Sequence, residues 1–253
     1  MAEMKYKIDP KKRFSSRVEN YIKYRPSYPL EILNFLKEKS ILLKNTVIAD
    51  IGSGTGILTK IFLDNGNYVY GVEPNKDMRE AAEHILSDYD NFLSILGSAE
   101  ATGLEDNSID LIIAGQAFHW FDVELAKKEF KRILKPTGHV VLIWNNRGKA
   151  GSDFNRSYEN FMLKYGIDYK EVRKSEKNID RFYIYQKESF YNFQDLNFNS
   201  FKGRVLSASY IPLPDNPIFP KMIIELEELF HKYQRNGILR IEYDTEVYTG
   251  KLE

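Results

Sequence analysis

A strand that breaks into alternating glycines and passes at once into a helix constrains this chain more than any other feature. Residues 46–51 read as a strand, Gly52-Ser53-Gly54-Thr55-Gly56 as a loop, and 57–65 as a helix stopped by Asn65-Gly66. Glycines at every second position let backbone approach a ligand without interference from Cβ, which makes such an elbow a nucleotide-binding turn. Short apolar runs and amphipathic stretches keep alternating after it. Strands are expected over Tyr68–Val72, Phe92–Leu96, Ile109–Ala114 and His139–Trp144, and helices over Asn75–Ser87 and Val123–Leu134. A turn at Lys135-Pro136-Thr137-Gly138 closes the second helix. Repeated βα units of this kind predict a parallel sheet.

Spacing narrows the ligand. A dinucleotide fold uses G-x-G-x-x-G to seat a pyrophosphate on a helix N-terminus, whereas this loop is G-x-G-x-G with Asp50 two residues before its first glycine. An acid there suits a cationic or amine-bearing ligand better than a phosphate. A second acid, Glu73, closes the second strand 17 residues beyond Gly56, where a carboxylate can chelate two ribose hydroxyls. Together the two acids fit S-adenosylmethionine (SAM), which has a ribose, an amino acid tail and a sulfonium but no phosphate. The plain alternative is a bare structural turn.

Composition excludes several classes. Lys+Arg and Asp+Glu both number 36, so no global field draws in a polyanion and nucleic acid is not the expected partner. The basic run Lys11-Lys12-Arg13 reads more simply as a solvated tail than as a contact surface. The lack of cysteine excludes disulfides, thiolate metal sites and a cysteine nucleophile, and is compatible with a reducing cytosol. The stretch MAEMKYKIDPKKRF has no apolar core of a signal peptide, and no run approaches the roughly 18 apolar residues of a membrane span. A cytoplasmic protein with no membrane partner and no metal is expected. Its 253 residues suffice for one domain plus an elaboration, and 17 Tyr and 16 Phe leave rings to line a pocket.

The elaboration is expected after residue 146. Residues 147–187 are charged and aromatic with no strand-like run, yet Phe154, Tyr158, Phe161, Met162 and Tyr165 fall at helical spacing, which predicts an inserted cap helix. That stripe reads more readily as core packing than as a cofactor box. A strand near Ser189–Phe193, helices over Phe198–Leu206 and Phe219–Gln234, and a last strand over Ile238–Tyr248 complete the chain. Asn236-Gly237 turns the last helix directly into that strand, which can slot in as a hairpin-like partner of its neighbour. The organisation is an N-terminal segment 1–30, a SAM-binding core 31–146, a cap 147–187 and a completion of the core over 188–253.

The runs VIADIGSGTGILTK, VYGVEPNKDM, GSAEATGLEDNSIDLIIAGQAFHWFD and ILKPTGHVVLIW resemble the successive motifs of class I SAM-dependent methyltransferases. The phrases Gly115–Asp122, Tyr24–Pro29, Gly203–Pro212 and Glu242–Gly250 resemble the branch that includes trans-aconitate methyltransferase-like enzymes, and the likeness runs over about residues 14–249. The resemblance implies an α/β, Rossmann-like fold with a seven-stranded, mostly parallel sheet of order 3-2-1-4-5-7-6, strand seven reversed, and SAM across the C-terminal ends of strands one to four. It implies that Gly52, Ser53, Gly54 and Gly56, with Asp50 before them, line the methionine moiety and Glu73 the ribose. Ser98, Ala99 and Glu100 would border the adenine, and Gln116 would follow strand four under the cofactor. Many relatives carry Asp where this chain has Ser98, so the Ser98 hydroxyl or the Ala99 amide would take over the adenine amino contact. N-terminal residues fold over the cofactor as a lid in that branch, which would place Tyr24, Arg25 and Tyr28 there. A strap packed permanently on the sheet is the alternative. Tyr210, in the third matching phrase, joins the substrate side.

The acceptor is narrowed by what is absent. The loop after strand four reads Gly-Gln-Ala-Phe, not the Asn-Pro-Pro-Tyr type used for planar amino groups, and the lack of cysteine removes the covalent route to pyrimidine C5. What remains is O-, N- or C-methylation of a small molecule, with a carboxylate implied by the branch resemblance. Arg25 or Arg204 could pair with it, though each is more often a surface ion-pair residue. A carboxylate needs no base. An alcohol or ammonium acceptor needs one, and His119 is the catalytic candidate, with Trp120 beside it as an apolar wall. Ordinary core packing of both residues is the alternative. A macromolecular acceptor and a non-catalytic SAM-binding module stay open.

Overall fold

The computed structural model describes residues 15–147, 152–170, 179–180 and 182–252. The basic run Lys11–Arg13 and parts of the expected N-terminal segment and cap lie outside the described residues. Strands β1 (Val47–Ile51), β2 (Tyr68–Val72), β3 (Phe92–Ile95), β4 (Ile109–Gly115), β5 (Leu134–Arg147), β6 (Ile184–Leu196) and β7 (Leu239–Lys251) form one sheet in the order β3-β2-β1-β4-β5-β7-β6. The first five run parallel, and β7 is antiparallel to both β5 and β6. This is the Rossmann-like order expected from the motifs.

Strands β1 and β4 bury nearly every side chain because helices cover both faces, as a continuous apolar run requires. On one face Ala49, Ile112, Val140 and Leu142 pack with α5 (Val123–Ile133). On the other, Ile48, Leu111, Ile113 and Val141 pack with α2 (Glu31–Glu38) and α3 (Ile57–Asp64). Each fully buried aliphatic side chain contributes about 1.5–3 kcal/mol, so this alternation holds the C-terminal ends of the central strands in fixed positions. Helix α1 (Val18–Tyr24) precedes α2, and α4 (Lys76–Ile85) follows β2, its start capped by the Asn75 side chain, which accepts from Met78 N at 2.9 Å.

Two expectations need correction. The expected turn at Lys135–Gly138 is strand: β5 begins at Leu134, which pairs with Ile109, and the register then shifts before Leu111 pairs with His139. An irregularity in pairing, not a reversal of the chain, accommodates Pro136 and Gly138. Strand β6 begins at Ile184, inside the segment expected as cap, and runs for 13 residues. As the outermost strand it is wetted on both faces over much of its length, so its sequence carries no clean apolar alternation.

The aromatic stripe lies on α6 (Asp153–Tyr165), with all five side chains buried. It packs with Phe201 and Val205 of α7 (Phe198–Leu206), Met222, Leu226 and Phe230 of α8 (Phe219–Tyr233), and Ile241 and Tyr243 of β7. The helical elaboration therefore joins α6 to α7 and α8. Arg235 and Ile238 exchange backbone hydrogen bonds across Asn236 and Gly237, both at positive φ, which turns α8 into β7.

Candidate cofactor and acceptor site

Three glycines follow β1, at φ of +71° (Gly52), +58° (Gly54) and +83° (Gly56), each for a different reason. A Cβ on Gly52 would meet Ala117 Cβ at 2.7 Å, and one on Gly56 would meet Leu86 Cδ1 at 2.7 Å, whereas nothing lies within 4 Å of a Cβ on Gly54. Gly54 therefore faces open space. Gly56 seats α3 against Ala82 and Leu86 at the end of α4, and it lines neither of the two cavities described below, unlike the role expected of it. Gly52 N and Ser53 N both donate to Val72 O, at 2.8 and 3.2 Å, which ties the loop to the end of β2.

The open space is a cavity of about 280 Å³ lined by Gly52, Gly54, Glu73, Met78, Ser98, Ala99, Glu100, Gln116 and Trp120. Glu73 is buried there. Its Oε2 accepts from Gly54 N at 2.9 Å and its Oε1 from Asn75 N at 2.8 Å, so the carboxylate is oriented and each oxygen keeps acceptor capacity. Burial raises its pKa, and these two amides oppose the rise. Glu100 Oε1 accepts from Asp122 N at 2.9 Å, so this lining residue also holds the loop after β4. Gln116 sits at φ +56°, unusual for a residue with a side chain, and is fixed by Gln116 N donating to Ile143 O (2.9 Å) and Nε2 to Asn145 O (3.2 Å).

A second cavity of about 30 Å³ adjoins the first and shares Tyr21, Gly52, Gly115 and Gln116 with it. Its other lining residues include Arg25, Tyr28, Asp50, Ser53, Asn145 and Arg204. Asp50 Oδ2 accepts from Thr59 Oγ1 at 2.6 Å, while Oδ1 is buried with no hydrogen-bond partner among the described residues. Burial pushes the Asp50 carboxyl up to about 7, with the Thr59 hydroxyl opposing and the charge of Glu73 adding. Tyr28 is pushed up as well, first by burial. Its hydroxyl lies so close to Gly115 that a Cβ there would meet it at 2.5 Å.

Two guanidiniums meet at this second cavity. Arg204, on α7, is buried. Arg25 is half-buried, rests on the Tyr21 ring at 4.6 Å and donates from its Nη2 to Ser207 O at 3.0 Å. Among the described residues neither Nε finds a hydrogen-bond partner, and neither side chain forms an ion pair. Burial, then the charge of Arg204, lowers the pKa of Arg25. A like-charged pair with open donors is costly unless an anion joins it.

The remaining expected residues are divided between the large cavity and positions away from it. The Tyr24 ring covers Gly203, where a Cβ would meet ring carbon Cε2 at 2.1 Å, and Tyr210 packs on Tyr169 at 4.8 Å within the helical layer. Trp120 lines the large cavity but His119 lines neither; its ring packs on Trp120 at 4.6 Å in the 3-10 turn Phe118–Trp120. His119 is therefore not placed on the cavity that Trp120 walls. Sequence reasoning missed Tyr21, Met78 and Asn145. Asn145 sits near the end of β5, beside Gln116 at the end of β4, and the rule that ligands gather at C-terminal strand ends could have found it.

A methyltransferase-domain model matches residues 49–142. A Dictyostelium discoideum protein named as a methyltransferase is 30% identical over 187 residues, 71% of this chain and 67% of that one. This chain belongs to the class I SAM-dependent methyltransferases. An uncharacterised Schizosaccharomyces pombe methyltransferase is 28% identical over 92% of this chain and 96% of its own. Other curated relatives, 34–36% identical, are matched over only about half their length, 52%. The fold is shared with a solved Anaeromyxobacter dehalogenans protein described as a type II methyltransferase, at a TM-score of 0.73 and 17% identity over 90% of this chain and 98% of that one. Among the described residues of this methyltransferase, no helix is long and apolar enough to cross a membrane.

Proposed function

We propose that the chain transfers a methyl group from SAM to a carboxylate of a small molecule, the large cavity taking the cofactor and the small one the acceptor's carboxylate. The open side of Gly54, the spare acceptor capacity of Glu73 and the unpartnered Oδ1 of Asp50 suit a ligand with a ribose and an amine. Bound SAM supplies an electrophilic methyl group together with its own leaving group. The protein must then hold an acceptor in line and keep water out.

The observation that carries the acceptor class is the pair Arg25 and Arg204, with open Nε donors at a cavity that joins the large one through Gly52, Gly115 and Gln116. A carboxylate there would balance the two cations and take their free donors. At about 30 Å³ the space suits a group of carboxylate size, given that a water needs ~10–15 Å³ by the same measure. That enclosure favours a small acceptor over a macromolecule. Histidine lines neither cavity, which suits a nucleophile that arrives deprotonated. The cysteine-free composition supports a cytosolic setting.

The test is turnover of methyl-labelled SAM against a panel of small carboxylic acids, with alcohols and amines of matched skeleton. The expected product is a methyl ester that releases methanol in mild alkali, and Arg204→Met should lower its formation at least tenfold. An alkali-stable methylated product would sink the carboxylate reading.

A further inference from the structure

We infer that Asn192 and Gln194, on the edge strand β6, are positioning residues for the acceptor cavity, because their side-chain amides hold the backbone that carries Arg25 and Tyr28. This rests on the proposed acceptor reading for its functional meaning, though not for its geometry.

Between the end of α1 at Tyr24 and the start of α2 at Glu31 the chain has no regular element, and its backbone carbonyls need partners from elsewhere. Gln194 Nε2 donates to Tyr24 O at 3.1 Å, and Asn192 Nδ2 donates to Ser27 O at 2.8 Å. Residues two apart on a strand share a face, so both amides reach the same segment as a pair of rungs. Both are half-buried, whereas Tyr191 and Phe193 between and beside them are exposed at 57% and 45%. Each rung is itself braced. Tyr243 Oη donates to Gln194 Oε1 at 2.8 Å, which turns the Gln194 amine toward the strap. Asn145 Nδ2 adds a second donor to Ser27 O at 3.1 Å, and its Oδ1 accepts from Thr245 Oγ1 at 2.6 Å.

The placement matters because Arg25 and Tyr28 stand directly beside the two held carbonyls. Among the described residues the Arg25 side chain makes one hydrogen bond, to Ser207 O, and it faces the like charge of Arg204. The guanidinium's hold there is the Ser207 carbonyl and the Tyr21 ring at 4.6 Å, set against the charge of Arg204, so its place at the cavity also depends on its backbone. Helix α1 is anchored separately, since Arg17 donates to Leu206 O and to Ile211 O. Loosening the rungs should therefore free Arg25 while Tyr21, on α1, keeps its place at the large cavity.

The experiment uses the full chain with Asn192→Asp and Gln194→Glu, which keep shape but replace each donor with an oxygen facing a carbonyl. Solvent exchange of the Arg25 Nε–H is read by ¹⁵N NMR, the signal being identified by its loss in Arg25→Lys, and S-adenosylhomocysteine (SAH) is titrated in parallel. The double variant should exchange at least tenfold faster with an SAH Kd within threefold of wild type. Gln194→Lys, which restores a donor of similar reach, should exchange more slowly than Gln194→Glu. Should the double variant not fold, Gln194→Glu alone decides. Unchanged Arg25 exchange overturns the proposal, as does a loss of SAH affinity equal to the gain in exchange, which would mean general loosening. Faster exchange in a protein that esterifies no carboxylate would leave the positioning intact and fail the acceptor reading instead.

Discussion

Replacing Asp50 with asparagine should make the ligand-free protein more stable above neutral pH and a poorer cofactor binder. Asp50 is 1% exposed, with Thr59 donating to one oxygen and no partner on the other among the described residues. Burial raises its folded-state pKa to about 7, against ~3.9 in the unfolded chain. The folded state therefore binds more protons between those values, and stability present near pH 4 is lost as pH rises through about 7. The separation corresponds to roughly 4 kcal/mol, fully lost by about pH 8.5. Asparagine cannot ionise, so urea titrations of Asp50→Asn should show a gain over wild type that grows from pH 5 to 8.5 and reaches roughly 2–4 kcal/mol. On the proposed reading the same variant removes a charged acceptor for the ligand's amine, which should weaken SAH binding by roughly 1.5–3 kcal/mol, or about 10- to 150-fold. Wild-type binding at pH 6.5 should release a proton, read by calorimetry in two buffers of different ionisation enthalpy, and the variant should release none. Parallel stability curves for the two proteins across this pH range would refute the burial argument.

Glu73→Ala should raise the SAH Kd by a comparable 10- to 150-fold (roughly 1.5–3 kcal/mol), measured by calorimetry, since it removes the oriented carboxylate that Gly54 N and Asn75 N hold. Gly203→Ala should cost roughly 1–3 kcal/mol in denaturant titration, because its Cβ would meet Tyr24 Cε2 at 2.1 Å and displace the ring, and should speed tryptic cleavage after Lys23. His119→Ala should turn over within threefold of wild type, since His119 lines neither cavity. A hundredfold loss with intact SAH affinity would restore it as a base.

The cofactor half was legible because it is local. Gly52, Gly54 and Glu73 lie at the ends of adjacent strands joined by one βα crossover, so spacing along the chain translates into distance in the fold. Even there the motif hid a distinction: Gly54 opens on the cavity while Gly56 serves the packing of Leu86, and both look alike in a G-x-G-x-G string. The phase of the turn Phe118–Trp120 was equally hidden. Adjacent residues in a 3-10 turn point about 120° apart, so spacing could bring His119 and Trp120 near the site without saying which of them faces it. Strand β6 escaped because an edge strand with Ile184 at 75% exposure need not alternate.

The proposed acceptor half was only partly legible. Arg25 and Arg204 could each be named as a partner for an anion, but spacing did not show that they meet, and only closure of the chain brings α7 beside the segment after α1, with β6 and β7 bracing that segment. Contacts that span about 180 residues, such as Arg25 with Ser207, follow from no local pattern. Two kinds of inference thus separate on physical grounds. The proposed site of the electrophile is built from one crossover unit and is specified by backbone geometry, which glycine and strand ends reveal. The proposed site of the nucleophile is built from side chains on distant elements and is specified by charge that must be compensated, which appears only when burial is known. On that reading, substitutions at Arg25 and Arg204 should alter which acceptor is taken while Gly54 and Glu73 continue to hold the same cofactor.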